Sequence, residues 1–476
     1  MAKAIILLAL FAIAALGGVG AGRTGNRAGR AGRTLLQSRP PSPASPAPPQ
    51  PAAVPAGISD VPFLIGTAQY EEVYWDMPKS IAKACEFIRT AGKNGVKLLL
   101  FPEGAIAGYP WFNWWASTFE IAANEKVNEI FMMNSPQIRG DGGDLRPIME
   151  CAKEARVNVA LPINERDNHG SEAAVFNTLV FIDLNGNIVG RHRKTTPSYT
   201  ERMWWTFGDG SDLIVVDMPE VGRVCGLLCW ENYMPLARYT LVAQGCEFWM
   251  APTQDIGAHW AAAAQFIARE SRAYVIALGQ MFRPLVAAQS AAAQVSAPGM
   301  TVSWAANMLR SYEQAQAGGV GEYMMDGGGL IANPEGVTIA GPVYSSCNYC
   351  LKDNYTYSIE WARAGCPFPG RGPENFGQPG CHVFNVPGVP EREIILAVAV
   401  SRAEVYRKKL YQDAVGNYAR TDIWSVTWHN APKDTLFTDI PVTTDGLRGY
   451  DVGDAPFDPP GDADANGPIT LADSEL

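Results

Sequence analysis

Apolar positions repeat along this chain with two periods. Ile81, Ala82, Cys85 and Ile88 recur at helical spacing, which predicts a helix over Pro78–Ala91. The uninterrupted run Val96–Pro102 then reads as a buried strand. A helix at Pro147–Arg156 and a strand at Val157–Ile163 repeat the alternation. Phe176–Asp183 and Asn187–Arg193 flank an Asn185-Gly186 turn and predict a β-hairpin. Further strands are expected at Leu213–Val216, Arg223–Cys229, Phe248–Pro252 and Ala273–Leu278, with helices at Met234–Gln244 and Trp260–Ser271. Gly329–Ala332, Val337–Ala340 and Ile394–Val400 read as late strands. Alternating elements predict an α/β architecture, and the hairpin makes its sheets mixed rather than purely parallel.

The ends break this pattern. Residues 1–22 combine basic Lys3, the uncharged run Ala4–Leu16 and small residues at Gly17–Gly22, as a secretory signal peptide does. Arg23–Arg39 is basic and free of acids, so an organelle transit peptide is the alternative, and a retained signal anchor is a third reading. Pro40–Pro55 holds eight prolines in sixteen residues, an extended spacer with nothing to bury. Residues 23–57 therefore form a linker and residues 58–436 the folded domain. Residues 437–476 carry nine acids and one base and read as a loosely ordered tail. No segment beyond the signal is long and apolar enough for a stable membrane span.

Composition sharpens this division. The 476 residues carry a formal charge of −10, but residues 1–57 contribute +6 and the rest −16. An acidic body argues against a nucleic-acid partner.

Three reactive side chains follow strands. Cys229 ends an apolar strand just before a helix, where backbone N–H groups can lower a thiol pKa and later hold an anion; a buried, inert cysteine is the bland alternative. Cys225, on the same strand face, reads as core, and a Cys225/Cys229 metal pair lacks nearby ligands. Glu103 directly follows the strand ending in Phe101-Pro102, a place where burial can raise a carboxyl towards a general base, although a solvated loop glutamate fits position alone. Lys194 ends the hairpin and can stabilise a tetrahedral anion or be a plain exposed base.

Taken in order, FPEGAIAGYP, HRKTTPSYTERMWWTFGDGSDL and CGLLCWENYMPLARY resemble the glutamate, lysine and cysteine motifs of the nitrilase superfamily of carbon–nitrogen hydrolases. INERD (Ile163–Asp167) and FNTLVFIDLNGNIVGRHRK match as well, and the likeness spans roughly Pro62–Tyr418. CWENYMPLAR is most similar to the nitrilase branch. The resemblance implies a four-layer α-β-β-α sandwich with Cys229 as nucleophile, Glu103 as general base, Lys194 as electrostatic stabiliser and Glu201 as a second, positioning glutamate. It also implies the Trp230 backbone N–H as an oxyanion donor, a small-molecule nitrile substrate, no cofactor, no metal, and a homo-oligomer. Glu231 reads as helix-start or loop support. Tyr109, Trp111, Phe112, Trp114 and Trp115, together with Tyr199, Trp204 and Trp205, either line a substrate pocket or pack at a subunit interface or in the core.

Two segments depart from the family. Phe266 in FIARESR (Phe266–Arg272) stands where many nitrilases carry histidine. Residues 343–382 form an insert with Cys347, Cys350, Cys366 and Cys381, for which two disulfides are preferred to a zinc site behind a signal peptide. Asn354-Tyr355-Thr356 is a glycosylation sequon that fits a secreted, extracellular protein. The function expected is nitrile hydrolysis to a carboxylic acid and ammonia. An amidase of the same superfamily and a non-catalytic scaffold keeping the fold are the alternatives.

Overall fold

The structure, a computed structural model, describes residues 58, 60–111, 121–168, 172–254, 257–294, 323–344 and 381–432. The proposed signal peptide and linker, Phe112, Trp114 and Trp115, Cys347, Cys350 and Cys366, the Asn354 sequon and the acidic tail lie outside the described residues. Among the described residues no helix is long and apolar enough to cross a membrane.

Two seven-stranded sheets organise the chain. The first contains β1 (Phe63–Gln69), β2 (Val96–Leu100), β3 (Asn158–Arg166), β4 (Val175–Ile182), β5 (Ile188–Arg193), β13 (His382–Asn385) and β14 (Ile394–Val400), in the order β13-β14-β1-β2-β3-β4-β5. The second contains β6 (Val216–Met218), β7 (Gly222–Gly226), β8 (Phe248–Thr253), β9 (Tyr274–Gly279), β10 (Met281–Phe282), β11 (Met325–Ala332) and β12 (Thr338–Tyr344), ordered β10-β11-β9-β8-β7-β6 with β12 on β11. Both sheets are mixed. The pair β1–β2 is parallel and β3–β4 antiparallel, while β7–β8 is parallel and β9–β11 antiparallel.

The layers follow from where the apolar side chains go. Leu98, Leu100, Leu179 and Phe181 of the first sheet meet Val224, Phe248, Met250 and Ile276 of the second in one buried cluster. A second cluster joins the outer face of the first sheet to α1 (Met77–Lys93) and α3 (Arg146–Ala155), which follows α2 (Ile121–Met133). A third joins the outer face of the second sheet to α4 (Pro235–Ala243) and α5 (Ala258–Ser271). The result is the expected α-β-β-α sandwich. Truncating a core side chain such as Phe181 to Ala should cost about 3–5 kcal/mol. The helices α6 (Pro284–Gln294) and α7 (Arg402–Lys409) complete the chain order.

Local sequence accounts for the elements that carry the site. Asp76 caps α1 by accepting from the Lys79 amide, and Ile81, Ala84, Cys85, Phe87, Ile88 and Ala91 bury one face. In the hairpin, Asp183 Oδ1 accepts from the Asn185 and Asn187 amides, and Gly186 takes the φ of +83° that the turn requires. That turn sets the register Thr178↔Arg193.

Some expectations are corrected. The strand expected at Leu213–Val216 begins only at Val216. Asp209 caps a 3-10 turn at Gly210–Asp212, and Leu213 closes it. The strand expected to run to Cys229 stops at Gly226, because the chain turns there. Cys225 is not an isolated core residue but is disulfide-bonded to Cys246, across from the start of β8. Cys85, read as an apolar helix position, is bonded to Cys151 and links α1 to α3. Cys381 is disulfide-bonded too.

Candidate active site

The parallel strands β2 and β3 carry the first residue. Phe101 still pairs with Ala160, and the chain then turns so that Glu103 is completely buried. The hairpin carries the second. Lys194 follows β5, donates its amide to the Asn177 carbonyl at 2.8 Å, and is completely buried. The second sheet carries the third. Leu227 pairs with Met250 beyond the end of β7, and Cys229 then sits on a 3-10 turn with φ of +53°. That backbone turn, unusual for a non-glycine residue, aims the thiol back between the sheets.

These elements bring the residues together. Lys194 Nζ donates to Glu103 Oε1 at 3.2 Å and to Glu201 Oε2 at 2.8 Å. A Glu103 oxygen, a Glu201 oxygen and the Cys229 Sγ all lie within 4.8 Å of one another. Such a trio matches metal-ligand spacing, but the Lys194 ammonium already supplies a cation among its carboxylates. Glu103 Oε1 also accepts from Asn177 Nδ2 at 2.7 Å, and its backbone carbonyl accepts from Gln254 Nε2 at 3.0 Å. Among the described residues Glu103 Oε2 has no hydrogen-bond partner, which leaves one oxygen to take a proton. Thr253, at the end of β8, donates to Cys229 Sγ at 3.2 Å. Cys229 is the one free thiol among the described cysteines.

Burial sets the proton affinities. It lifts the Glu103 carboxyl to about 7, against the pull of the Lys194 ammonium and with the Glu201 charge adding to the rise. It pushes the Cys229 thiol up to about 12, with Glu103 adding and Lys194 opposing. Burial disfavours the Lys194 charge, but the neighbouring Glu103, Cys229 and Glu201 outweigh it and hold the amine firmly protonated. A buried thiol, an acceptor balanced near neutrality and a fixed cation are what covalent addition to an electrophilic carbon requires. In such an addition a carboxylate placed this way can take the thiol proton, and an ammonium can meet the charge that develops.

The aromatic residues divide. Tyr109, Trp111 and Trp205 are buried in one cluster with Phe282. Tyr109 donates its hydroxyl to Glu201 Oε1 at 2.8 Å, and Lys194 Nζ lies 5.8 Å from the Trp205 ring centre. Trp205 donates to Asn164 Oδ1, and Asn164 Nδ2 donates to the Gly108 carbonyl, tying the lysine loop to the glutamate loop. Tyr199, by contrast, is 74% exposed on its turn and stands outside this cluster. Trp230, whose backbone N–H the resemblance implies as an oxyanion donor, has an exposed side chain directly after Cys229. Phe266 is exposed on α5 and lies over the Arg238 guanidinium, so the departure from histidine falls on the helix surface.

Several supports carry no motif of their own. Asn177 and Thr253 touch the reacting groups directly. Asn232 donates to the Leu227 and Cys229 carbonyls and accepts from Trp249 Nε1, fixing the cysteine turn. The hairpin register could have found Asn177, because position 177 falls opposite Lys194. Nothing in the sequence marks Thr253.

A carbon–nitrogen hydrolase family model matches residues 64–344, more than half of the chain. The chain belongs to the carbon–nitrogen hydrolase family. It is 30% identical over 364 residues to "Nitrilase 2" from an unknown prokaryotic organism, covering 76% of this chain and 90% of that one. It is 27% identical over 365 residues to "Nitrilase 3" of Arabidopsis thaliana, covering 77% and 86%. These relatives put it in the nitrilase branch, and the protein is a hydrolase acting on carbon–nitrogen bonds. Among solved structures it is similar to the NitFhit protein of C. elegans, with 14% identity and a TM-score of 0.48, covering 79% of this chain and 69% of that one.

Proposed function

We propose that this hydrolase is a nitrilase, converting an organic nitrile into a carboxylic acid and ammonia. The observation that carries the reading is the meeting of Glu103, Glu201 and Cys229 within 4.8 Å around the Lys194 ammonium. The names of these relatives point the same way.

The steps follow from the groups in place. Cys229 sulfur bonds to the nitrile carbon while Glu103 takes the thiol proton and returns it to nitrogen, giving a thioimidate. A water, deprotonated by Glu103, adds to the same carbon. The adduct nitrogen takes that proton back from Glu103, then receives the hydroxyl proton through the same carboxylate, and the C–N bond breaks with loss of ammonia to leave a thioester. A second water attacks the thioester in the same way, releasing the acid and restoring the thiol. Lys194 and the backbone N–H of Trp230 stabilise the anionic species, and Glu201 orients Lys194 through its 2.8 Å bond. Breaking the C–S bond before the C–N bond releases an amide instead, so amide is the chemically reasonable by-product. No step calls for a metal or an organic cofactor.

An amidase starts from the same site with a carbonyl substrate. A panel of aliphatic and aromatic nitriles and their amides, read by ammonia release, separates the two. Release from nitriles, abolished in a folded Cys229→Ala variant, supports the proposal. Release from amides alone sinks it. A protein that turns over neither, and whose Cys229 resists alkylation, is a scaffold.

Compartment and assembly are part of the proposal. The Cys85–Cys151 and Cys225–Cys246 disulfides support an oxidising compartment, reached through the secretory pathway. Trp230, Tyr233, Met234, Leu236 and Tyr239, at the start of and along α4, and Phe266 on α5 are all exposed, which supports burial against a second copy.

A further inference from the structure

Lys194 follows a strand of the first sheet and Cys229 a strand of the second. The sheets meet through apolar side chains, and such contacts resist separation but not sliding. Something directional must therefore fix the distance between the two groups. Gln254 ties the second sheet to Glu103, and another buried side chain crosses the gap beside Lys194 and Cys229 themselves.

Glu231 lies two residues after Cys229 on the same turn, and only 2% of it is exposed. Its Oε1 accepts from the Thr195 amide at 2.8 Å and from the Thr195 hydroxyl at 2.5 Å. Its Oε2 bonds His192 Nε2 at 2.7 Å and accepts from the Leu228 amide at 3.1 Å. The partners on the first sheet thus flank Lys194 on both sides, and the partner on the second sheet directly precedes Cys229. His192 is equally buried, and its Nδ1 lies 3.0 Å from the Asp212 carbonyl oxygen. Both ring nitrogens face acceptors, so both carry hydrogen, and the imidazolium balances the carboxylate. The proton affinities agree. Burial opposes both charges, yet each partner holds the other charged, with Glu231 drawn down to about 2 and His192 raised.

We propose that Glu231, held by His192, is a positioning residue that sets the separation of Lys194 from Cys229 across the two sheets. It touches none of the reacting atoms. The inference builds on the proposed chemistry of Lys194 and Cys229, but its test does not need turnover.

A buried thiol is alkylated through its thiolate, and a cation held close favours that form. Glu231→Gln keeps the shape but turns an N–H₂ towards one of the two donor sets, and His192→Gln removes the balancing cation. The measurement is the rate of Cys229 carboxymethylation by iodoacetamide at pH 8, on full-length protein whose circular dichroism and melting are checked first. A fall of at least tenfold is expected in both variants. The double variant should be no slower than the worse single one, because the two residues act as a unit. Glu231→Asp, which keeps the charge on a shorter stem, should recover part of the rate. In turnover, the loss should fall on kcat with KM within about threefold. A wild-type alkylation rate in folded Glu231→Gln, or losses that simply multiply in the double variant, would overturn the proposal. Failure of the wild type to turn over nitriles would instead count against the nitrilase reading and leave the alkylation comparison intact. Where a variant does not fold, Thr195→Val removes one of the four bonds to Glu231 and should give a smaller fall of the same kind; an unchanged rate there also counts against it.

Discussion

Asn177 holds Glu103 and Lys194 at once: its Nδ2 donates to Glu103 Oε1 at 2.7 Å, and its backbone carbonyl accepts from the Lys194 amide at 2.8 Å. The side-chain bond favours the charged carboxylate and so restrains a proton affinity that burial lifts to about 7. Glu103 must be unprotonated to accept the thiol proton, so kcat/KM should rise with pH through about 7. Asn177→Ala deletes the bond and should move that limb to higher pH by about one pH unit, since a hydrogen bond to a charge contributes about 1.5 kcal/mol or more. A pH–rate profile of the two proteins decides it, and an unmoved limb refutes the role given to Asn177.

The two described disulfides should separate stability from activity. Cys85–Cys151 closes a span of 66 residues on the outer helices, and Cys225–Cys246 one of 21 residues that starts on β7, just before Cys229. Loop-closure entropy gives about 4 and about 3 kcal/mol, respectively. Cys85→Ser/Cys151→Ser should therefore melt earlier with kcat unchanged. Cys225→Ser/Cys246→Ser should melt earlier and also lose kcat, because Cys225 lies four residues before Cys229. Thermal melting paired with steady-state rates checks both halves.

Assembly through the α4–α5 face predicts a concentration-dependent change on adding charge there. Leu236 is 69% exposed on α4, so Leu236→Glu should leave the fold intact and shift light scattering to smaller particles. An unchanged particle size would place the contact elsewhere.

The sandwich was readable because strong periodicity and a specific turn mark its centre. The hairpin at Asn185-Gly186 and the helix over Ile81–Ile88 appear where the pattern puts them. Weakly marked elements were not readable. β1, with Gly66 and Thr67 interrupting its apolar run, owes its place to pairing with β2 and with distant β14. β13 has only four residues, and α7 is almost wholly polar, so neither carries a usable pattern. The reactive residues were visible as motifs. Their supports were not, since Thr253 and Gln254 reach the site from a strand end far along the chain. Disulfide pairing likewise depends on proximity, which spacing in sequence does not encode.

The φ of +53° at Cys229 has a consequence for how this protein can change. Left-handed backbone disfavours a residue with a side chain by about 1–2 kcal/mol, whereas glycine adopts it freely. The enzyme is therefore less stable than its own inactive Cys229→Gly counterpart would be on this count alone. Selection for robustness and selection for chemistry pull in opposite directions at a single atom, the Cβ that carries the sulfur.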